Sequence, residues 1–322
     1  MPFHRILVPV DGTEASRSVL PYLPMLLESP ESEVLLVRAV PFLATLLEMP
    51  NDFASGPPSM GSDISEGKAQ VARLVVRLRE FGIRARGLSQ VGSPMDLIDH
   101  AIRKEKIDLI ALSSGPTSEF WNVFWDTLPE HLLRHTTLPL FLLHVRPPVP
   151  HWTAQFPWRP RSGRVLVPMA GNPASVDAVG TALGLARRIG ARITLEALPD
   201  ADCSLAYTLE HLARGLKRCE REHVLAEKRM ARGDPARVLL EEADLEAIDL
   251  IVLPPRLVPS PAADPLGSMV ARLLRRVRVP LMFPGRSRPD RMKSFVAESL
   301  GSKGPSSPTV EKRRVAKHNG DS

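Results

Sequence analysis

Two histidines lie four residues apart in a segment whose pattern predicts a helix. His131 and His135 have the spacing at which two imidazoles on one helix face can bind a zinc ion. Glu130 precedes the first histidine instead of following it, and no third ligand is apparent, so the pattern does not predict a metal site. Ser113 and Ser114 lack the flanking glycines of a serine-hydrolase nucleophile. The chain also lacks the Gly-x4-Gly-Lys-Ser/Thr loop, which argues against a P-loop ATPase.

Two turns of similar sequence could hold a ribose or a phosphate. They are Gly92-Ser93-Pro94 and Gly233-Asp234-Pro235. Ser or Asp followed by Pro is also the pattern that begins a helix without any ligand. The sequence favours this capping role for both turns.

Four aromatic residues form the densest aromatic patch of the chain. Phe120 and Phe124 are four residues apart, as are Trp121 and Trp125, which is helical spacing. We therefore expect them to pack in the core or to fill a pocket, and an exposed surface that binds a partner is the second interpretation.

The sequence contains an internal repeat. Arg5-Ile6-Leu7-Val8-Pro9-Val10 returns 159 residues later as Arg164-Val165-Leu166-Val167-Pro168-Met169. Ile107-Asp108-Leu109-Ile110 returns as Ile248-Asp249-Leu250-Ile251, and three further matches share its offset of 141 residues. The difference between the two offsets indicates an additional segment in the first copy, around residues 44–62. Each copy is therefore expected to be one structural unit.

Each copy alternates strands with helices. In the first copy we predict strands at 4–10, 33–40, 83–91, 107–112 and 138–145, and helices at 14–28, at 67–81, from Ser93 and at 128–135. Pro21 and Pro24 should kink or shorten the first helix. The alternation predicts an α/β fold of parallel strands with right-handed crossovers.

The positive charge of the chain belongs to its C-terminal tail. The 322 residues have a net charge of +6, and residues 286–322 hold nine basic and four acidic side chains. A tail rich in Ser, Gly, Pro and Lys is expected to be disordered, and its charge leaves open a weak interaction with nucleic acid or an acidic membrane. We expect domains at 1–146 and 163–285, a proline-rich linker at 147–162 and the tail at 286–322.

The cysteine count and the hydropathy bear on the compartment. Cys203 and Cys219 are the only cysteines, which excludes a disulfide scaffold and a cysteine-based metal site. No apolar run is long enough for a transmembrane segment, and the pattern of the first residues does not predict a signal peptide. We therefore expect a cytoplasmic protein.

The repeated motifs resemble those of the universal stress protein family, of the UspA type. Ile-Leu-Val-Pro-Val-Asp-Gly-Thr at 6–13 looks like the family's first strand, and Gly-x-Pro, Asp-Leu-Ile and Leu-Pro-Leu-Phe-Leu-Leu fit later positions. The resemblance covers both copies, about 4–146 and 163–285. It implies two tandem, Rossmann-like, five-stranded parallel-sheet domains that pack as an intrachain pseudo-dimer through their fifth strands. It also implies that ATP, where bound, lies at the carboxyl ends of the strands, where open α/β sheets place ligands in general.

The family's nucleotide signature is only partly present. The signature is Gly, two residues, Gly, nine residues, Gly, and then Ser or Thr, and it follows the fourth strand. Its positions fall on Ser113, Pro116, Asp126 and Thr127 in the first copy, and on Pro254, Leu257, Gly267 and Ser268 in the second. The first copy lacks all three glycines and has a carboxylate where a phosphate would bind, whereas the second copy retains the final pair.

At the end of the first strand it is the first copy that retains the family's residue and the second copy that lacks it. By resemblance Asp11 approaches the adenosine part of the ligand, although it could instead cap the first helix. The second copy has Ala170 at this position. The resemblance makes ten residues candidates for binding the cofactor: Pro9, Val10, Asp11, Val40, Gly92 and Thr127 in the first copy, and Gly233, Gly267, Ser268 and Met269 in the second.

The resemblance implies a tandem universal stress protein that acts in the stress response without catalysis, and the incomplete signatures predict degenerate adenine-nucleotide sites. The alternative is a sensor in which one half-site still binds ATP or another adenine nucleotide. A nucleotide hydrolase is disfavoured, because the phosphate loop and an acid–base constellation are missing. The expected partners are the two halves for each other, a second copy in a homodimer, and proteins that the sequence does not name.

Overall fold

The computed structural model describes residues 3–40, 60–115, 122–169, 173–198, 205–231, 233–245, 248–254 and 268–285. The first half contains the strands β1 (Arg5–Pro9), β2 (Glu33–Val40), β3 (Arg84–Val91), β4 (Leu109–Ser114) and β5 (Leu140–His144). Its helices are α1 (Glu14–Arg17), α2 (Leu23–Leu26), α3 (Met60–Glu80), α4 (Pro94–Glu105) and α5 (Asn122–His135). The predicted tail at 286–322 lies outside the described residues.

The second half repeats this order. Its strands are β6 (Arg164–Met169), β7 (Arg192–Ala197), β8 (Ala226–Met230), β9 (Leu250–Val252) and β10 (Leu281–Phe283). Its helices are α6 (Pro173–Ile189), α7 (Leu205–Arg221), α8 (Pro235–Asp244) and α9 (Ser268–Arg276). No helix of the described residues combines the length and the apolar composition needed to cross a membrane.

All ten strands belong to one sheet, in the order β3-β2-β1-β4-β5-β10-β9-β6-β7-β8. Each half is parallel throughout, and β5 and β10 join the halves as antiparallel neighbours. Phe141 lies opposite Met282 at this join. The fold class predicted from the sequence is confirmed, and the two halves meet through their fifth strands, as the resemblance implies.

The strands are apolar because both faces of the sheet are covered. In β1 the side chains of Ile6 and Val8 belong to one buried cluster, and Leu7 between them belongs to the other. Each cluster includes residues of both halves. The core is therefore continuous across the β5–β10 join.

The repeated aspartate anchors the first strand of each half. Asp108 accepts hydrogen bonds from the backbone amides of His4 and Arg5 at 2.8 and 2.9 Å. Asp249 accepts from the amides of Arg161 and Arg164 at 2.7 and 3.1 Å, and also from Ser162. The repeat of Ile-Asp-Leu-Ile therefore has a structural explanation.

The linker packs against the first half. Trp152 is 2% exposed and contacts the ring of Phe81, with the centroids 5.9 Å apart. Trp158 stacks on Tyr22 at 5.0 Å. Both tryptophans of the linker are thus packed against the first half, whereas the domain boundaries at 146 and 163 stay a prediction.

Three helix predictions differ from the structure. The helix predicted at 67–81 begins at Met60. The helix predicted at 14–28 is broken into α1, a 3-10 turn at Leu20–Tyr22, and α2, because Pro21 and Pro24 interrupt its hydrogen bonds. The helix predicted to begin at 128 begins at Asn122 instead and contains Pro129 in its interior.

Candidate functional site

The end of β1 places Asp11 at the carboxyl edge of the sheet. Asp11 is 7% exposed, and its Oδ1 accepts from the amide and the hydroxyl of Thr13 at 2.8 and 2.7 Å. Thr13 is the N-cap of α1, because its hydroxyl accepts from the amide of Ser16. Asp11 therefore orders the turn that begins α1, although it is not the capping residue itself.

The second carboxylate oxygen of Asp11 has no partner. Its Oδ2 is buried and makes no hydrogen bond among the described residues. Ser89 in β3 has a buried hydroxyl in the same condition. A buried polar atom without a partner costs about 1–3 kcal/mol. The carboxylate oxygen could therefore accept a hydrogen bond from a further group, and the hydroxyl could donate or accept one.

Arg38 and Gln70 occupy the space beside the turn. Arg38 Nη1 donates to Gln70 Oε1, which joins β2 to α3. Gly12 has φ +97°, and a Cβ built on it would overlap Arg38 Nη1 and lie 2.7 Å from Gln70 Oε1. The chain's own side chains thus approach the backbone directly after Asp11.

Arg38 also changes the electrostatics of this edge. Burial lowers the pKa of the Arg38 guanidinium, and the negative charge of Asp11 opposes that shift. A Cβ on Gly67 in α3 would lie 3.3 Å from Arg38 Nε and 3.4 Å from Ser89 Oγ. Arg38 is therefore a half-buried cation that interacts with Asp11 and lies close to Gly67.

Five of the predicted site residues lie along this carboxyl edge. Val10 donates its amide to Val37 in β2, and Gly92 donates its amide to the carbonyl of Val40 at 2.9 Å. Pro9 is the last residue of β1 and precedes Val10 and Asp11 directly. The structure thus places Pro9, Val10, Asp11, Val40 and Gly92 along the ends of β1, β2 and β3.

The two Gly-x-Pro turns cap helices. Ser93 Oγ accepts from the amide of Met95 at 3.2 Å, and Asp234 Oδ1 accepts from the amide of Ala236 at 2.9 Å. Gly92 and Gly233 have φ of +138° and +102°, which favours glycine at both positions. The capping role is therefore observed in both halves.

The turn after β8 is additionally held by α9. Arg272 forms an ion pair with Asp234, and this hydrogen bond lowers the pKa of the carboxyl group. The contact brings the turn at Gly233 next to the helix that begins at Ser268. Met269, in the first turn of α9, is half-buried and packs against the core.

The structure describes the residues predicted to bind a phosphate only in part. Thr127 lies inside α5 and not at its N-terminus, because the helix begins at Asn122. Ser268 is the first residue of α9, whereas Gly267 lies outside the described residues. The side chains of Thr127 and Ser268 are not described, so a role in phosphate binding stays a prediction for both.

The role predicted for the aromatic cluster stays a prediction, and the two histidines form a pair without a third ligand among the described residues. Phe120 and Trp121 lie outside the described residues, as do the side chains of Phe124 and Trp125. His131 and His135 have ring centroids 4.2 Å apart, and burial together with His135 lowers the pKa of His131. Across the described part of the chain, no three metal-ligating side chains converge.

Three polar residues with unusual surroundings in the structure were not among the residues predicted from the sequence. Arg38 interrupts an apolar strand, and Gln70 is one of several polar residues on α3. Glu196 in β7 is 3% exposed, and burial raises the pKa of its carboxyl group to about 6. A single charged residue within a predicted buried strand was the signal available for Arg38 and Glu196.

The chain matches known proteins in sequence and in fold. Residues 2–144 match the model of the Universal stress protein family. A universal stress protein from Archaeoglobus fulgidus superposes with a TM-score of 0.65 at 16% identity, over 88% of this chain and 97% of that chain. A putative universal stress protein from Pseudomonas aeruginosa superposes with a TM-score of 0.61 at 13% identity, over 92% and 98%.

A shorter match has a bound nucleotide. It is a universal stress protein family protein from Arabidopsis thaliana with AMP bound, at 18% identity and a TM-score of 0.27, over 39% of this chain and 94% of that chain. That likeness is too slight to bear on the ligand of this chain. No curated protein matches the sequence. Residues 2–144 thus match the universal stress protein family in sequence, and the second half of the chain repeats the fold of the first.

Proposed function

We propose that this chain is a tandem universal stress protein that acts in the stress response without catalysis. Its two halves form one body, and the adenine-nucleotide site of each half is degenerate. Such a protein would act by binding other proteins, with ATP bound weakly or not at all. Neither half supplies a complete nucleotide pocket.

One observation carries the proposal for the first half. Arg38 and Gln70 lie against Gly12, at the point where a nucleoside would approach Asp11. A nucleoside that approached Asp11 past Gly12 would have to displace both side chains and break their hydrogen bond. The position that should bind a phosphate is held by Asp126 in the sequence, and its negative charge would repel that group.

The second half supports the same proposal by different means. Ala170 replaces the acid at the end of its first strand. Asp234 accepts a hydrogen bond from the amide of Ala236 and forms an ion pair with Arg272, so its negative charge is already balanced by a cation of the chain. An intact Ser268 at the start of α9 is the remaining feature of a phosphate site.

A second candidate function is a nucleotide sensor with one working half-site. The buried, unpartnered Oδ2 of Asp11 and Oγ of Ser89 favour it, because a bound ligand could satisfy both. In this candidate Arg38 would swing away when adenine nucleotide binds. The ligand would be ATP or another adenine nucleotide, contacted by the first-half residues from Pro9 to Gly92.

The nucleotide content of the purified protein separates the two candidates. Protein purified without added ligand is denatured, and the extract is examined for the absorbance of adenine and by chromatography. The degenerate-site proposal predicts no adenine nucleotide above a blank. A stoichiometric amount in the wild type that is lost in Asp11→Asn would instead establish the sensor. Steady phosphate release from ATP above the blank would contradict the absence of catalysis.

Partners and location follow from the same proposal. The β5–β10 pair already occupies the strand edges through which the halves meet, so a homodimer would need another surface. Cys219 is a free and buried thiol, which agrees with the proposed cytoplasmic location. Binding of nucleic acid by the tail remains a weaker proposal, tested by comparing heparin retention of the full chain with that of a chain ending at Gly285.

A further inference from the structure

A cavity of about 700 Å³ lies beside the β5–β10 join, beneath the linker. Its walls come from the end of β5, from the linker, from the end of α8 and the residues just before β9, from the segment before β10, and from Ser18 and Tyr22. The described lining includes none of the ten residues predicted to bind a nucleotide. A volume of this size lies within the range that binds small molecules, which is roughly 300–1,000 Å³.

The cavity is lined by cations from three segments. The four arginines are Arg146, Arg159, Arg161 and Arg278, and His144 lies with them. Arg146 donates to the carbonyl oxygens of Arg275 and Arg276 at 3.2 and 3.1 Å, at the C-terminus of α9, and these acceptors carry no formal charge. Arg159 has neither a hydrogen bond nor an ion pair from its side chain within the described residues.

Two carboxylates line the cavity and only partly offset this charge. Asp249 is 5% exposed, and both of its oxygens accept hydrogen bonds from the backbone or the hydroxyl of residues 161–164. Asp244 lies 3.8 Å from Arg278, and both side chains are more than half exposed. Four arginines against two engaged acids leave a positive cavity, which attracts and concentrates anions.

The rest of the wall suits the body of a small organic anion. Leu143, Ile248 and Val279 supply apolar surface, and the stacked rings of Tyr22 and Trp158 form one side. Guanidinium groups present paired donors that match phosphate oxygens, and they are less strongly hydrated than ammonium groups. The combination of arginines with apolar and aromatic surface favours a phosphate monoester over a bare cation or a neutral ligand.

We propose that this linker cavity is a binding site for a small molecule that bears a phosphate dianion, bound between the arginines of the linker and Arg278. The site belongs to the tandem form of the chain, because the linker and both halves contribute to it. It is independent of the proposed adenine-nucleotide sites and does not require either of them.

Calorimetric titration of the full chain with phenyl phosphate and with inorganic phosphate tests the proposal. We expect measurable affinity for one or both probes, weakening as salt is added, because the contacts are ionic. Arg159→Gln and Arg278→Gln should each lower that affinity by about tenfold, the scale of a lost hydrogen bond between charged groups. Arg103→Gln is the matched control, since Arg103 is an exposed arginine on α4 outside the cavity.

Two controls accompany the titrations. Unchanged circular dichroism and unfolding temperature show that each variant is folded. Asp11→Asn should bind the probes as the wild type does, which separates this site from the nucleotide site. The proposal is overturned if neither probe binds at millimolar concentration, or if Arg103→Gln reduces affinity as much as the cavity variants do.

Discussion

Glu196 is the side chain whose environment is least expected for its type. It lies in β7 with 3% of its surface exposed, and its Oε2 has no partner within the described residues. Burial is the largest cause of its raised pKa, the negative charge of Glu242 adds to it, and Arg229 opposes it. The carboxyl group is therefore protonated more readily in the folded chain than in the unfolded one.

The pH dependence of stability follows from this shift. The pKa is about 6 in the folded chain, against about 4.3 for an unfolded glutamate. Between these values the folded state binds more protons, so stability falls as pH rises through this window. The burial of Glu196 should thus cost about 2 kcal/mol at pH 7.5 and about 0.5 kcal/mol at pH 4.5.

Replacing Glu196 by glutamine tests this cost. Urea unfolding should show Glu196→Gln to be more stable than the wild type at pH 7.5, by up to about 2 kcal/mol, with the difference falling to about 0.5 kcal/mol near pH 4.5. Glu220→Gln serves as the control, because Glu220 is exposed on α7. An equal effect of Glu196→Gln at both pH values would show that burial of the charge is not the cause.

Two equivalent aspartates, which directly precede β4 and β9, fix the start of the first strand in each half. Asp108 and Asp249 occupy equivalent positions in the repeat, and each accepts bonds from the backbone amides at the start of the first strand of its half. Asp249 makes more of these bonds and also binds the hydroxyl of Ser162. It therefore fixes the end of the linker in addition to β6.

Substitution by asparagine should show how much each of the two aspartates contributes to the free energy of unfolding. Asp249→Asn removes a buried charge from several hydrogen bonds, and we expect it to lower the free energy of unfolding by about 2–4 kcal/mol. Asp108→Asn should cost less, since Asp108 binds two amides and is more exposed. Chemical denaturation of both variants gives the comparison. A larger loss for Asp108→Asn would contradict the assignment.

The sheet could be predicted from the sequence, but the side chains that pack at the carboxyl ends of its strands could not. Apolar strands such as β1 and the repeated motifs specify a parallel, twofold-repeated sheet through local pattern alone. The start of α5 was predicted too late, because Pro129 resembles the first position of a helix and not its interior. The position of Arg38 against Gln70 depends on how α3 packs over β2, a contact between residues 32 apart that no local pattern encodes.

At the scale of the whole molecule, the two halves should unfold as one. One sheet continues through β5 and β10, and both apolar clusters contain residues of both halves. Neither half can lose its structure without exposing the core of the other. Differential scanning calorimetry of the full chain should therefore show one transition, with calorimetric and van't Hoff enthalpies that agree. Two separable transitions would indicate that the join contributes little.

The central claim is that the nucleotide pocket of the first half is filled by the chain's own side chains and lacks its phosphate end. Isothermal titration of the full chain with ATP–Mg²⁺ tests this most directly. The account predicts no binding heat at sub-millimolar nucleotide that depends on Asp11, so the wild type and Asp11→Asn should give the same titration. A saturable titration in the wild type that Asp11→Asn abolishes would contradict it.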